Sequence, residues 1–253
     1  MIAFSAQDVI LVTGASSGIG RATAELASTL GATLIISGRD RERLALTKKG
    51  CRQAGRTFIE PMDLLDQLEH LDTWVPSLSQ KYGPLKGMVC CAGERHTIPL
   101  LAVSLARMER LYRLNLFAGV FLAKGFARAA ACGSGDKSIV FISSLSAEGG
   151  GKGLVDYSGS KAALNSAVKC MAAELAARRI RVNSILPGFV NTELLRKDKN
   201  LYTENLVERI NREYPLGIGA PGDVAQMACY LLSDCSRWIT GSQLVLDGGA
   251  SLR

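Results

Sequence analysis

Hydrophobic positions along the chain follow two spacings in turn. Short runs at residues 8–13, 32–37, 57–60, 87–91, 138–142, 180–186 and 243–246 read as strands, the first, mostly apolar and β-branched, as a buried parallel one. Between them lie longer stretches in which apolar residues return every three or four positions. Residues 21–30 carry Ala22, Leu26, Ala27 and Leu30 on one helical face, and Asp40 is placed to cap the helix after the second strand. A broken helix is predicted over 64–82, with Pro76 inside it, and a long one over 101–131, whose stripe includes Leu111, Leu114, Phe117, Val120 and Phe121. Residues 155–177 are small and apolar almost all round, so both faces of that helix are expected to pack; a last helix spans 221–232. Strand and helix alternate throughout. Right-handed crossovers wind such βαβ units into one α/β domain, a doubly wound parallel sheet of about seven strands flanked by helices on both faces. Residues 143–154 form a glycine-rich loop, and residues 190–215 carry many charges and no clear period. The second stretch is longer than an ordinary connection and reads as an excursion over a site.

Composition narrows the chemistry. At 253 residues, 47% hydrophobic and 21% charged, the chain has the balance of a globular protein. Its longest largely apolar run, residues 114–123, closes at Lys124 and is too short for a membrane span. The start lacks a basic segment followed by an apolar core, so a cytoplasmic protein is expected. Seven cysteines, none in Cys-x-x-Cys spacing, read as reduced thiols. The net charge of +7 is spread along the chain and aromatic residues make up only 6%, which points to anionic small molecules rather than nucleic acid. His70 and His96 are the only histidines. That scarcity removes most zinc sites and most histidine-based catalysis.

Two stretches carry candidate chemistry. In Tyr157-Ser158-Gly159-Ser160-Lys161 a phenol and an ammonium stand four positions apart, which stacks them on one face of a helix. A cation about 4 Å from a phenolate is worth roughly 4 kcal/mol at an effective dielectric near 20, enough to bring a phenol from about 10 to near 7 before desolvation is subtracted. The same spacing arises by accident on surface helices, so the pair needs company to mean catalysis. Gly14-Ala15-Ser16-Ser17-Gly18-Ile19-Gly20 lies between the first strand and the first helix, and its first five residues match Gly-x-Ser-x-Gly, as in a hydrolase nucleophile elbow. A hydrolase of that kind needs a histidine after the serine, and none follows His96. The competing reading uses the glycines to bring backbone amides and a helix N-terminus against a pyrophosphate. Its spacing departs from Gly-x-Gly-x-x-Gly.

Thr13-Gly14-x-x-x-Gly18-Ile19-Gly20, together with Tyr157-x-x-x-Lys161, closely resembles the signature of the short-chain dehydrogenase/reductase superfamily, and further matches extend over the whole chain. Ser144 stands thirteen positions before Tyr157, as the family's catalytic serine does, and Asn115 in Arg113-Leu114-Asn115-Leu116 takes the place of its catalytic asparagine. The resemblance implies a Rossmann-type NAD(P)-binding domain over 1–253, with substrate loops at about 94–101, 145–154 and 190–215. It implies that Gly14, Ser16, Ser17, Gly18, Ile19 and Gly20 hold the dinucleotide phosphates and that Asp63 and Leu64 meet the adenine. Ala92 and Gly93 form the turn after the fourth strand, and Pro187, Gly188, Val190 and Thr192 serve the nicotinamide side. In the implied reduction Tyr157 protonates a carbonyl oxygen that Ser144 holds. Lys161 lowers the tyrosine pKa and binds the nicotinamide ribose, Asn115 supports a water relay, and no metal takes part.

Cofactor choice turns on the end of the second strand. Gly38 stands where NAD-preferring members carry an acid, and Arg39 next to it suits a 2′-phosphate, with Ser16 adding a hydrogen bond, so NADP(H) is favoured over NAD(H). Asp40 opposes that choice unless it turns into the following helix. The family also implies a small carbonyl or alcohol substrate, free or carrier-bound, and a homo-oligomer, tetramer or dimer, built on the helices at 101–131 and 155–177. A 3-oxoacyl-type ketone is the leading substrate class, with sugar, steroid or other secondary-alcohol dehydrogenation and a non-catalytic dinucleotide sensor as alternatives. Arg95, Lys152, Arg196, Lys197 and Lys199 in the loops suit an anionic substrate or an acidic carrier, and equally a solvated surface. One departure is Cys90-Cys91, where many members have two asparagines; these thiols are expected to be buried fillers rather than redox groups.

Overall fold

Each apolar run becomes a strand of one parallel sheet. In a computed structural model of the chain, which describes residues 2–128, 135–193, 208 and 212–252, β1 is Val9–Thr13, β2 Thr33–Gly38, β3 Thr57–Pro61, β4 Leu85–Cys90, β5 Lys137–Ile142, β6 Ile180–Pro187 and β7 Gln243–Leu246. The strands lie in the order β3-β2-β1-β4-β5-β6-β7, with parallel neighbours throughout. Chain direction across the sheet therefore reverses between β1 and β4, and the connections leave a crevice beyond the carboxyl ends of the strands.

Alternation inside the apolar runs sorts side chains onto two cores. Leu11, Ile35, Met88, Ile139, Phe141 and Val182 face one side, where they meet α3 (Leu71–Tyr82), α5 (Ala118–Ala127) and α6 (Val155–Leu175). Ile10, Val12, Leu34, Ile36, Val140 and Ile185 face the other, against α1 (Gly18–Thr29), α2 (Arg41–Gly50) and α7 (Pro221–Leu232). Burial on both faces is why these strands read as continuous apolar runs.

Three predicted helices differ in detail. The segment expected over 64–82 opens with a 3-10 turn at Leu68–His70, and α3 begins only at Leu71. Asp63 accepts a hydrogen bond from the Leu65 N–H at 2.9 Å, which holds the start of the segment in a turn. The helix expected over 101–131 begins with a 3-10 turn at Leu100–Ala102, runs as α4 (Leu105–Tyr112), passes through a π-helical turn at Arg113–Phe117 and continues as α5. Its predicted end at Ala131 lies outside the described residues. In α6 only one face is buried, through Ser160, Lys161, Leu164, Asn165, Val168 and Ala172, while Ala162 and Ala173 are exposed.

Candidate active site

The turn after β1 is built by steric need. Gly14 sits at φ +67°, and a Cβ there would lie 2.6 Å from the Ala92 backbone nitrogen, so only glycine lets this turn touch the turn after β4. Gly18 is also left-handed, at φ +51°, and the space beside it is filled by the Thr192 methyl. Arg21 reaches back from α1 to the Ser16 carbonyl at 2.7 Å, and Thr47 donates to the Ala15 carbonyl at 2.8 Å. Two helices thus pin the turn from behind.

A cleft of about 880 Å³ opens along the carboxyl ends of the strands. Its walls contain every residue of the expected cofactor set, from Gly14 through Thr192, together with Ser144, Tyr157 and Lys161. Asn115 lies behind it. The Asn115 amide donates to the Glu94 carbonyl at 3.0 Å and to Ser160 Oγ at 3.1 Å, and its oxygen accepts from the Glu94 N–H at 2.9 Å. The π turn aims this side chain between the β4 turn and α6, where it clasps both. The loop at 94–101 is tied to the loop at 145–154 by the Ile98 N–H, which donates to the Gly153 carbonyl at 2.8 Å. Of the third expected substrate loop, Arg196, Lys197 and Lys199 lie outside the described residues.

At the adenosine end, Asp40 accepts from the Arg43 N–H at 3.0 Å and caps α2, which turns its carboxylate away from the cleft. Arg39 stays largely exposed, with only a long 3.9 Å contact to Asp63. A Cβ on Gly38 would lie in ordinary contact with Ser16, 3.4 Å away. The hydroxyls of Thr13 and Ser37, both among the cleft-lining residues, are buried without a hydrogen-bond partner. Glycine cradle, bare strand end and unpartnered hydroxyls together fit a dinucleotide.

At the other end the electrostatics differ from the sequence expectation. Burial pushes the Tyr157 hydroxyl above its ordinary pKa, while hydrogen bonding from Ser144 and the charge of Arg95 pull it back. Lys161 is engaged elsewhere. Its ammonium donates to the Ile142 carbonyl at 2.8 Å and lies near the thiols of Cys90 and Cys91, and burial lowers it from 10.5 to about 8. A four-residue spacing put both groups on one face, but the carbonyl at the end of β5 captures the ammonium. Burial raises the thiol of Cys90 and pushes that of Cys91 up to about 12, so both stay protonated and unreactive.

Several cleft residues escaped the sequence pattern. Arg43 lines the adenosine end, where the Glu193 carboxylate holds it at 2.7 Å and Arg21 at 3.2 Å. Its position was implicit in the Asp40 cap, three residues upstream. Ser146 hydrogen-bonds Ser144 at 2.8 Å. Phe189, which no local signal marked, has the guanidinium carbon of Arg95, a loop residue already singled out for its charge, 5.5 Å from its ring centre.

Comparison with known proteins agrees with this geometry. A family profile described as Enoyl-(Acyl carrier protein) reductase matches residues 14–251. The 3-oxoacyl-[acyl-carrier-protein] reductase of Thermotoga maritima is 34% identical over 243 residues, covering 95% of this chain and 96% of that protein. An L-rhamnose 1-dehydrogenase (NAD(P)(+)) from a Sphingomonas species is 33% identical over 248 residues, covering 95% and 94%. Among solved structures, a short-chain type dehydrogenase/reductase from Mycobacterium ulcerans superposes with a TM-score of 0.88 at 30% identity, over 99% of this chain and 92% of that one. The chain belongs to the short-chain dehydrogenase/reductase superfamily and is an oxidoreductase of the kind that binds nicotinamide dinucleotides.

Proposed function

We propose that the protein is an NADPH-dependent ketone reductase of the 3-oxoacyl type, acting on a free or carrier-bound substrate, with Tyr157 as the general acid. The observation that carries this reading is the convergence of Tyr157, Ser144 and Lys161 at one end of a cleft whose other end holds the glycine turn. When bound, the reduced cofactor supplies the hydride. All other work falls to the chain. Ser144 holds the carbonyl oxygen beside the Tyr157 phenol, and the phenol gives that oxygen its proton. Burial keeps the phenol protonated until it is used, and the Ser144 hydrogen bond and Arg95 charge ease the loss of the proton. Lys161, with a pKa of about 8, is suited to hold the ribose hydroxyls and to return a proton to the tyrosine. Asn115 fixes the Gly93-Glu94 turn that walls this corner, which is a positioning role as much as a relay. Preference for the 2′-phosphate is supported by Arg39 and Arg43 around an acid-free Gly38.

A secondary-alcohol or sugar dehydrogenase is the second reading, favoured by the Sphingomonas relative at nearly the same identity. NADPH and NADH oxidation across a panel of 3-oxoacyl thioesters and simple ketones, set beside NADP⁺ and NAD⁺ reduction across sugars and secondary alcohols, separates the two. Tyr157→Phe is expected to lower kcat by about 10²–10⁴-fold with cofactor still bound. Arg39→Ala is expected to raise the KM for NADPH by about tenfold or more and to leave that for NADH almost unchanged. Equal effects on both cofactors overturn the NADP assignment, and cofactor binding without turnover of any substrate indicates a sensor.

A further inference from the structure

Arg95 is a charged side chain of the cleft that falls outside the set expected to hold the dinucleotide. It follows the Gly93-Glu94 turn, and its guanidinium carbon lies 5.9 Å from the centre of the Tyr157 ring and 5.5 Å from that of Phe189. Phe189 is itself braced, since its backbone N–H donates to the Tyr214 hydroxyl at 3.2 Å and the two rings meet edge to face at 5.7 Å. Packing against two rings limits the rotamers of the guanidinium at the substrate end of the cleft and leaves its edge N–H groups for an acceptor. No carboxylate pairs with it among the described residues. The adjacent Glu94 is committed to Arg110 at 3.0 Å and lies 3.7 Å from His96. Lys152, from the facing loop, lines the same cleft and likewise has no acidic partner among the described residues. Among the described residues, Arg95 and Lys152 therefore place positive charge without an acidic partner beside the phenol proposed to meet the reacting carbonyl.

We propose that Arg95 reads an anionic group on the substrate, and that the substrate is an oxo acid, or the matching hydroxy acid, whose carboxylate lies a few bonds from the reacting carbon. The proposal rests on the hydride-transfer reading above. A carboxylate suits this place because its two oxygens match the flat fork of one guanidinium.

The test keeps binding and turnover apart. Protein saturated with NADP⁺ is titrated by calorimetry with 2-oxobutanoate, 3-oxobutanoate and 4-oxopentanoate, each against its uncharged amide, and the same compounds are assayed for NADPH oxidation. At least one acid is expected to bind about tenfold or more tightly than its amide and to show a correspondingly lower KM. Arg95→Gln is expected to collapse that acid-to-amide ratio towards one, and Arg95→Lys, which keeps the charge without the fork, to restore part of it. NADP⁺ affinity measured on each variant shows that the cleft is intact. Amides that match acids in the natural chain overturn the proposal, as does an Arg95→Gln variant that weakens acid and amide alike. Acid binding that depends on Arg95 with no ketone reduced leaves the anion site standing and removes the reductase reading. Reduction of neutral ketones with no preference for acids does the reverse.

Discussion

Burying the Lys161 ammonium costs stability. Burial lowers its pKa from 10.5 to about 8, so between those values the unfolded chain holds a proton that the folded chain has released. Its contribution is a constant penalty below about pH 8, and the penalty fades as pH rises towards 10.5. Lys161→Met is therefore expected to unfold at higher urea than the natural chain at pH 7, with the difference shrinking as pH climbs through that window. A difference unchanged between pH 7 and pH 10 assigns the gain to packing instead. At this scale the sequence identified which groups share a helical face, because four-residue spacing is a local property. Where each group points was not legible. The Lys161 ammonium is held by Ile142, and Tyr157 is flanked by Arg95, both set by strands far away in sequence.

Elements were legible where a period was clean. The seven runs each became a strand, because the central strands are buried on two faces and are mainly apolar there, with Arg181, Asn183 and Ser184 of β6 as buried polar exceptions. The π turn at Arg113–Phe117 was hidden, since Leu111, Leu114 and Phe117 keep a helical stripe running past the inserted residue. That insertion delivers Asn115, and its three hydrogen bonds join the β4 turn to α6. Asn115→Ala is expected to lower unfolding stability by about 1–3 kcal/mol, because Glu94 and Ser160 lose partners in a largely buried corner. Urea titration measures the loss. The accompanying fall in activity should exceed that of a surface alanine change on the preceding α4, because the clasp also positions the turn bearing Gly93. Substrate loops were the least legible element, since their length and charge mark an excursion but not its contacts.

At the scale of the whole molecule, one group of exposed apolar side chains gathers around α4, the π turn and α6. Leu101, Leu105, Phe117 and Val155 are exposed, alongside Ala162 and Ala173 on the uncovered face of α6. We propose that this surface pairs with another copy of the chain, as a patch of this kind on adjacent helices favours. Light scattering is expected to give a dimer or tetramer, and Ala173→Arg to lower the measured mass; a monomeric natural chain rejects the assignment. No helix among the described residues is long and apolar enough to cross a membrane. The strand order carries a last consequence, for how the protein comes into being. Because β1 pairs with both β2 and β4, the glycine turn has no wall opposite it until Leu85–Cys90 has been made and docked. Joining the sheet through such distant pairings is slow compared with local helix formation. Dinucleotide capture should therefore be among the last events of refolding, and its appearance can serve as a clock for closure of the sheet centre.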